Sequence, residues 1–398
     1  MKIAPDAVTL GDNGLDDVLF AAGDTLRPWK LTEPADPFER CALFREMSAA
    51  APHGRTLFKL WACAMAANQR TKPPLTLSGP IGSGKTREAV GLSELYGLPP
   101  RITAITKNGE DDFWTQANAG GLVCFDNADT RTDWLPDALA AAATDGCREK
   151  RMLYTDSTRI VQRARAWIAV TSANPTFAAD AGLADRLLVV RLDRRTDETA
   201  EAALSDEIAA NRDAGLSYIA HVLSYALGDA EPIPGGLNKR HPDFAALAVR
   251  LGRAMSCERE AIAALRAAEA DKGLFNLEND EIGAALLEMM RTRDTFNGTA
   301  AELLQELTAL DPSVDGRLSA KRLAKRVSKL WPHLESVLSA KRDTGHGGYS
   351  ILFFRRPHGD IGDFETAFLE KSHERENIES FSETPLESHQ SHQQGALL

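Results

Sequence analysis

Cysteine is scarce in this chain and poorly placed for chemistry. The five thiols, Cys41, Cys63, Cys124, Cys147 and Cys257, are widely spaced, odd in number and without a C-x-x-C pair. That spacing excludes a disulfide framework and a thiolate zinc site, and it suits a reducing cytoplasm. Long apolar runs are missing too. No window approaches the ~18 uninterrupted apolar residues of a membrane span, and the opening MKIAPDAVTLGDNG lacks the charged-then-apolar order of a signal peptide. The expectation is a cytoplasmic protein with no membrane contact. Internal repeats with a period of ~20–50 residues are absent, so repeat architectures are not indicated. Positive charge is in deficit, with 46 Lys and Arg against 57 Asp and Glu and a net charge of −11. The sum argues against a nucleic-acid partner, but the charge is unevenly spread and its distribution matters more. With 398 residues, 43% of them hydrophobic, the length predicts roughly two to four domains and at least one large core.

What the chain does contain is the stretch LTLSGPIGSGKTREAV, from Leu75 to Val90. Gly79, Pro80, Ile81, Gly82, Ser83, Gly84, Lys85 and Thr86 fit the G-x-x-x-x-G-K-[ST] pattern, between an apolar strand-like run and a helix-like one. The glycines let the backbone curl so that its N–H groups face phosphate oxygens. The Lys85 ammonium reaches the β- and γ-phosphates, Thr86 offers a hydroxyl to Mg²⁺, and the following helix presents its positive end. ATP with Mg²⁺ is the ligand this loop predicts.

Further along, GLVCFDNAD is an apolar strand that ends in Asp126. A carboxylate at that tip meets the magnesium shell beside Thr86, as the Walker-B Asp does in P-loop NTPases. Many ATPases of this type place Glu immediately after that Asp to polarise the attacking water, but here the residue is Asn127. Asp129, Glu110, Asp111 and Asp112 are the candidate bases, though each taken singly reads better as part of a solvated turn, and the alternative to a base among them is slow turnover. In AWIAVTSANPTF, Asn174 is the first choice and Thr171 the second for holding the attacking water; Asn before Pro is also a common turn former. In LADRLLVVRL, Arg186 precedes a new strand and could stabilise transition-state charge in a neighbouring subunit. The competing reading is a surface ion pair with Asp180 or Asp185.

Together, GPIGSGKT, FDNAD, TDGCREKRMLY, TSANP and LADRL resemble the helicase-like P-loop ATPases of phages, plasmids and integrated elements. These are related to the superfamily 3 and AAA+ group and are often fused to primases. The resemblance spans roughly Phe38 to Leu227. It implies a ring-forming homo-oligomer, in the usual case a hexamer, and it matches Arg151, Leu153 and Tyr154 to an arginine before a Leu-Tyr pair. No zinc-binding or primase-like carboxylate module precedes the ATPase segment, so primer synthesis is not implied.

The predicted fold class is α/β: a parallel-sheet core of the AAA+/RecA-like P-loop NTPase type, a helical lid and a C-terminal winged-helix-like domain. Residues 1–70 read as an irregular segment with helices over Phe38–Ala51 and Thr56–Asn68, 71–197 as the core and 198–280 as the lid or linker. Residues 281–356 read as the basic domain and 357–398 as a disordered acidic tail. In the basic domain Lys321, Arg322, Lys325, Arg326 and Lys329 line one face of a helix, while Leu323, Val327 and Leu330 line the other. Arg317, Lys341, Arg342, Arg355 and Arg356 add charge against only Glu335 and Asp343, the footprint of phosphate-backbone binding. His373, His389 and His392 in the tail read as polar-tract composition rather than metal ligands. The predicted function is a DNA-associated ATPase, a ring-forming helicase or helicase-like remodeller in replication of a phage or mobile element. The alternatives are an NTP-driven DNA-binding switch or helicase loader without strand separation and, third, a P-loop kinase.

Overall fold

A computed structural model describes residues 2–5, 7–9, 11, 27–67, 69–151, 159–196, 199–310, 318–344 and 350–355. Two short strands, β1 (Lys2–Ala4) and β2 (Ala7–Thr9), pair as an antiparallel hairpin ahead of the helices α1 (Pro37–Arg40), α2 (Ala42–Arg45) and α3 (Pro52–Ala64). The single helix predicted over Phe38–Ala51 is therefore two separate turns. The chain is extended at Cys41 and again at Ala51, where Pro52 disfavours a helical predecessor. Between them the backbone is used elsewhere: Ala49 bridges Leu192, and the Ala50 N–H donates to Arg191 O at 2.9 Å. Tertiary pairing outweighs the local helical pattern.

The alternating segment then builds one parallel sheet. Its strands are β3 (Leu75–Ser78), β4 (Ile102–Ala104), β5 (Leu122–Asp126), β8 (Trp167–Ser172) and β9 (Leu188–Arg191), in the spatial order β4-β5-β8-β3-β9. The crossovers carry α4 (Lys85–Tyr96), α5 (Glu110–Asn118), α6 (Leu135–Ala142), the antiparallel hairpin β6 (Cys147–Arg151) and β7 (Arg159–Arg163), a 3₁₀ turn at Thr176–Ala179, and α7 (Ala181–Ala184). Alternation along the strands sends side chains into two cores. Leu75, Leu77, Leu122, Cys124, Trp167 and Leu188 pack on one face with α3, α4 and the later helices α8 (Glu201–Gly228), α9 (Pro242–Ala254) and α10 (Glu258–Asn279). Val123, Phe125, Ile168 and Val170 pack on the other with α5 and α6. A sheet buried on both faces explains strands that read as continuous apolar runs.

α11 (Glu281–Arg291), β10 (Thr295–Thr299), α12 (Ala300–Leu310), α13 (Ala320–Leu338), β11 (Lys341–Thr344) and β12 (Ser350–Arg355) complete the described chain. The last three strands form an antiparallel sheet in the order β10-β12-β11. α13 runs on through Pro332, although a proline inside a helix costs about 3 kcal/mol. Leu323, Val327, Leu330, Trp331, Leu334 and Leu338 are all buried along it, and at roughly 1.5–3 kcal/mol for each large apolar side chain their burial outweighs that cost. Leu153, Tyr154, Arg317, Arg356, the segment 357–398 and its histidines His373, His389 and His392 lie outside the described residues.

Candidate functional site

The carboxyl ends of parallel strands are where open α/β sheets assemble sites, and the register brings the motif residues there. Ser78 of β3 pairs with Ser172 of β8 and with Arg191 of β9, Phe125 of β5 pairs with Val170, and Asp126 pairs with Ala104. β8, inserted between β3 and β5, supplies the polar groups that link the glycine loop to the carboxylate.

The loop from Gly79 to Thr86 leaves β3 and enters α4 directly. Gly82 and Gly84 both have φ of +82°, a conformation that side chains resist. At Gly79 a Cβ would stand 2.1 Å from Leu192 O, so only glycine lets the loop pass the end of β9. The Lys85 ammonium is turned onto its own loop, donating to Gly79 O (2.5 Å), Pro80 O (2.7 Å) and Ser83 Oγ (3.3 Å). Ile81 projects from the loop, 85% exposed.

Asp126 is the hub of the site. Its Oδ1 accepts from Thr86 Oγ1 and from Thr171 Oγ1, both at 2.6 Å. Thr86 and Asp126 are 40 positions apart in sequence. The Asn127 amide side chain donates to Asp126 Oδ2 at 3.1 Å, and its backbone N–H donates to Thr171 Oγ1 at 3.0 Å. Asn127 holds φ of +53°, a left-handed conformation that Asn tolerates better than most residues. The residue in the place where many ATPases carry Glu therefore braces the carboxylate beside it.

The four candidate bases have different surroundings. Asp129 Oδ1 accepts from Ser172 Oγ (2.6 Å), the Ala173 N–H (2.7 Å) and the Asn174 N–H (3.0 Å); it builds the turn that presents the exposed Asn174. Glu110 and Asp111 start α5 and face the β6 strand: Arg148 lies 3.7 Å from Glu110 and 2.6 Å from Asp111, and Lys150 also pairs with Asp111. The Lys150 hydrogen bond holds the Asp111 carboxyl below the usual range, which makes it a weaker base. Asp112 is exposed on the same turn.

Arg186 forms neither ion pair weighed from the sequence. It donates to Gly182 O one turn back, while Asp180 Oδ1 accepts from the Leu183 N–H at 2.8 Å and Asp185 faces Arg240 at 3.4 Å. Two residues after Arg186, Leu188 pairs with Leu75 at the start of β3. Arg186 is thus at the sheet edge opposite the glycine loop of its own chain. The sequence reading missed Arg194 and Arg195, which follow β9 and lie over Gly82 and Gly84; the signal was the Arg-Arg pair just beyond a core strand.

On α13, Lys321, Arg322, Lys325 and Lys329 are exposed. Arg326 differs from them: its Nη2 pairs with the Asp280 carboxylate at 2.5 Å, and Asp280 is 3% exposed. Asp280 Oδ1 meanwhile caps α11 through the Ile282 and Gly283 N–H groups. Of the five basic residues read from the sequence as a phosphate-facing set, Arg326 is the one whose charge is paired with a buried carboxylate of the fold.

The fold and this carboxyl edge define a parallel-sheet α/β protein that joins a glycine loop, a hydroxyl and a carboxylate. Residues 42–274 match the family described as actinomycete integrative conjugative element replication protein. The chain belongs to that family, and it is a replication protein of a mobile element. No curated protein matches it in sequence. Among solved structures, the A form apo structure of the NrS-1 C terminal region is similar at 12% identity over 85% of this chain and 80% of that one, with a TM-score of 0.36. Among the described residues no helix is long and apolar enough to cross a membrane.

Proposed function

We propose that this replication protein is a DNA-associated ATPase, with the nucleotide held by the Gly79–Thr86 loop and DNA by the exposed face of α13. The observation that carries the reading is the Thr86–Asp126–Thr171 cluster, in which two hydroxyls and a carboxylate converge at the mouth of a glycine loop. Mg²⁺ fits this donor set. It takes oxygen ligands, keeps several waters and is held by one or two protein groups plus substrate phosphates. A larger cluster is not required, and among the described residues no group of three or more His, Cys, Asp or Glu could hold a metal. Thr86 and Asp126 would hold the ion, which when bound neutralises charge on the phosphates. Lys85 would exchange the carbonyls of Gly79 and Pro80 for phosphate oxygens, and Asn174 would orient water at the terminal phosphate.

The order of α11, β10, α12, α13 and the β11–β12 pair supports a winged-helix reading, in which α13 would be the recognition helix. The four exposed cations there would supply phosphate contacts. A ring-forming helicase is one use of such a chain. A nucleotide-driven switch or loader is favoured by one feature: Asn127 and three of the four candidate bases, Asp129, Glu110 and Asp111, are engaged in hydrogen bonds or ion pairs, which leaves Asp112 alone to act as the base and is as expected of slow hydrolysis. Hydrolysis assayed with and without DNA tests the reading. Lys85→Ala should abolish turnover, and Asp126→Asn should lower Mg²⁺-dependent hydrolysis. Undiminished turnover in Lys85→Ala would refute the assignment of the loop.

A further inference from the structure

The segment leaving β9 is built onto the glycine loop. The Leu192 N–H donates to Ser78 O at 2.7 Å and the Arg195 N–H to Gly82 O at 3.1 Å. Ser48 Oγ ties the two together by donating to Asp193 O at 2.8 Å and to Ser83 O at 3.2 Å. Arg195 then lies across Gly84, where a Cβ would come within 2.9 Å of its Cδ, and its guanidinium reaches Glu88 of α4 at 3.7 Å. Arg194 is exposed and stands over Gly82, its Nε 3.8 Å from where a Cβ would be.

Sheet order gives these arginines a direction. Asp126, Thr171 and Asn174 leave β5 and β8, on one side of β3, whereas Arg194 and Arg195 leave β9 on the other. A triphosphate lying along the loop with its terminal phosphate and metal at Thr86 and Asp126 must extend its other end toward β9. We propose that Arg194 binds the nucleotide at its α-phosphate end, and that Arg195 is a positioning residue that fixes the loop through Gly82 and Glu88. This rests on the nucleotide reading above. A guanidinium suits the task because it offers several donors in a planar fork that matches phosphate oxygens. Its contact is shared by di- and triphosphates, so Arg194 serves nucleotide affinity and leaves the hydrolytic step to the β5 and β8 side.

Titration of the full chain with fluorescent ADP and with a non-hydrolysable ATP analogue, each with Mg²⁺, tests this. Arg194→Ala should weaken both ligands by the same factor, about tenfold or more for a lost charge-assisted hydrogen bond. Arg194→Lys, which keeps the charge and loses the planar fork, should recover part of the loss. Because Arg194 is exposed, the melting temperature should not move. Unchanged affinity for both ligands would overturn the proposal, as would a loss confined to the triphosphate. If the parent protein binds neither nucleotide, the nucleotide reading itself fails, and Lys85→Ala gives the reference for that outcome.

Discussion

Replacing Lys321, Lys325 and Lys329 together with Gln should weaken duplex DNA binding while leaving the fold intact. All three are exposed on α13, and Gln has nearly the helix propensity of Lys, so stability should change by no more than about 0.5 kcal/mol. Each lost phosphate contact lowers the slope of log affinity against log salt by about 0.9, and three lower it by about 2.7. Across a fourfold rise in salt the parent should therefore lose roughly 40-fold more affinity than the variant does. Arg326→Gln is the contrasting perturbation. It leaves the Asp280 carboxylate, 3% exposed and already capping α11, without its cation. Breaking a fully buried pair costs about 3–5 kcal/mol; because Arg326 is 38% exposed, water can replace part of the interaction and about 1–3 kcal/mol is expected. The salt slope of Arg326→Gln should match the parent's. Fluorescence anisotropy of a labelled duplex over a salt series, with thermal melts of the same samples, separates the two effects. An unchanged slope in the triple variant would refute the placement of DNA on α13, and a flattened slope in Arg326→Gln would refute the division of its charges.

Two further outcomes are expected. Arg186 is beyond reach of its own glycine loop, so if the chain is the proposed ring-forming ATPase, Arg186→Ala mixed with Lys85→Ala should recover part of the activity by forming intact junctions; no recovery in demonstrably mixed oligomers excludes action on a neighbour's nucleotide. Burial pushes the pKa of His241 down to about 4 from its ordinary 6.5. Its native state stays neutral while the unfolded chain takes up a proton, so this stabilisation is complete above pH ~6.5 and is lost toward pH 4 at up to about 1.4 kcal/mol per pH unit. Urea unfolding should show the stability gap between the parent and His241→Gln narrowing from pH 7 to pH 5, and a constant gap would mean that His241 does not titrate there.

Local pattern made the sheet and its loop legible. β3, β5, β8 and β9 are apolar runs bounded by polar or glycine-rich stretches, and a glycine loop between a strand and a helix has few alternatives. The break between α1 and α3 was not legible, because it depends on Ala49 and Ala50 pairing with Leu192 and Arg191, far away in sequence. Continuity of α13 through Pro332 was equally hidden: local propensity stops the helix, and only the buried face shows why it persists. Arg326 reads like its basic neighbours, since nothing within the helix shows that Asp280 waits in another element.

At the site, residue types were legible but their commitments were not. Asp129 looked like a spare carboxylate beside Asp126, yet three donors from the end of β8 converge on one of its oxygens. That geometry makes Asp129 the support of the Asn174 turn, so an Asp129 substitution would act through Asn174. Asn127 is bound in the same way to Asp126 and Thr171. The carboxyl edge thus holds Asp126, Thr171 and Asn174 through hydrogen bonds between adjacent strands, and under the nucleotide reading this preorganised arrangement would favour binding geometry over supplying a free base. Under the nucleotide reading, turnover would then depend on Asp112 or on a group brought from outside this edge. Arg186 at the opposite edge of the sheet has the charge to stabilise a transition state in a neighbour, though it cannot serve as the base. A mixed-subunit experiment therefore bears on the chemistry of the reaction as well as on the assembly.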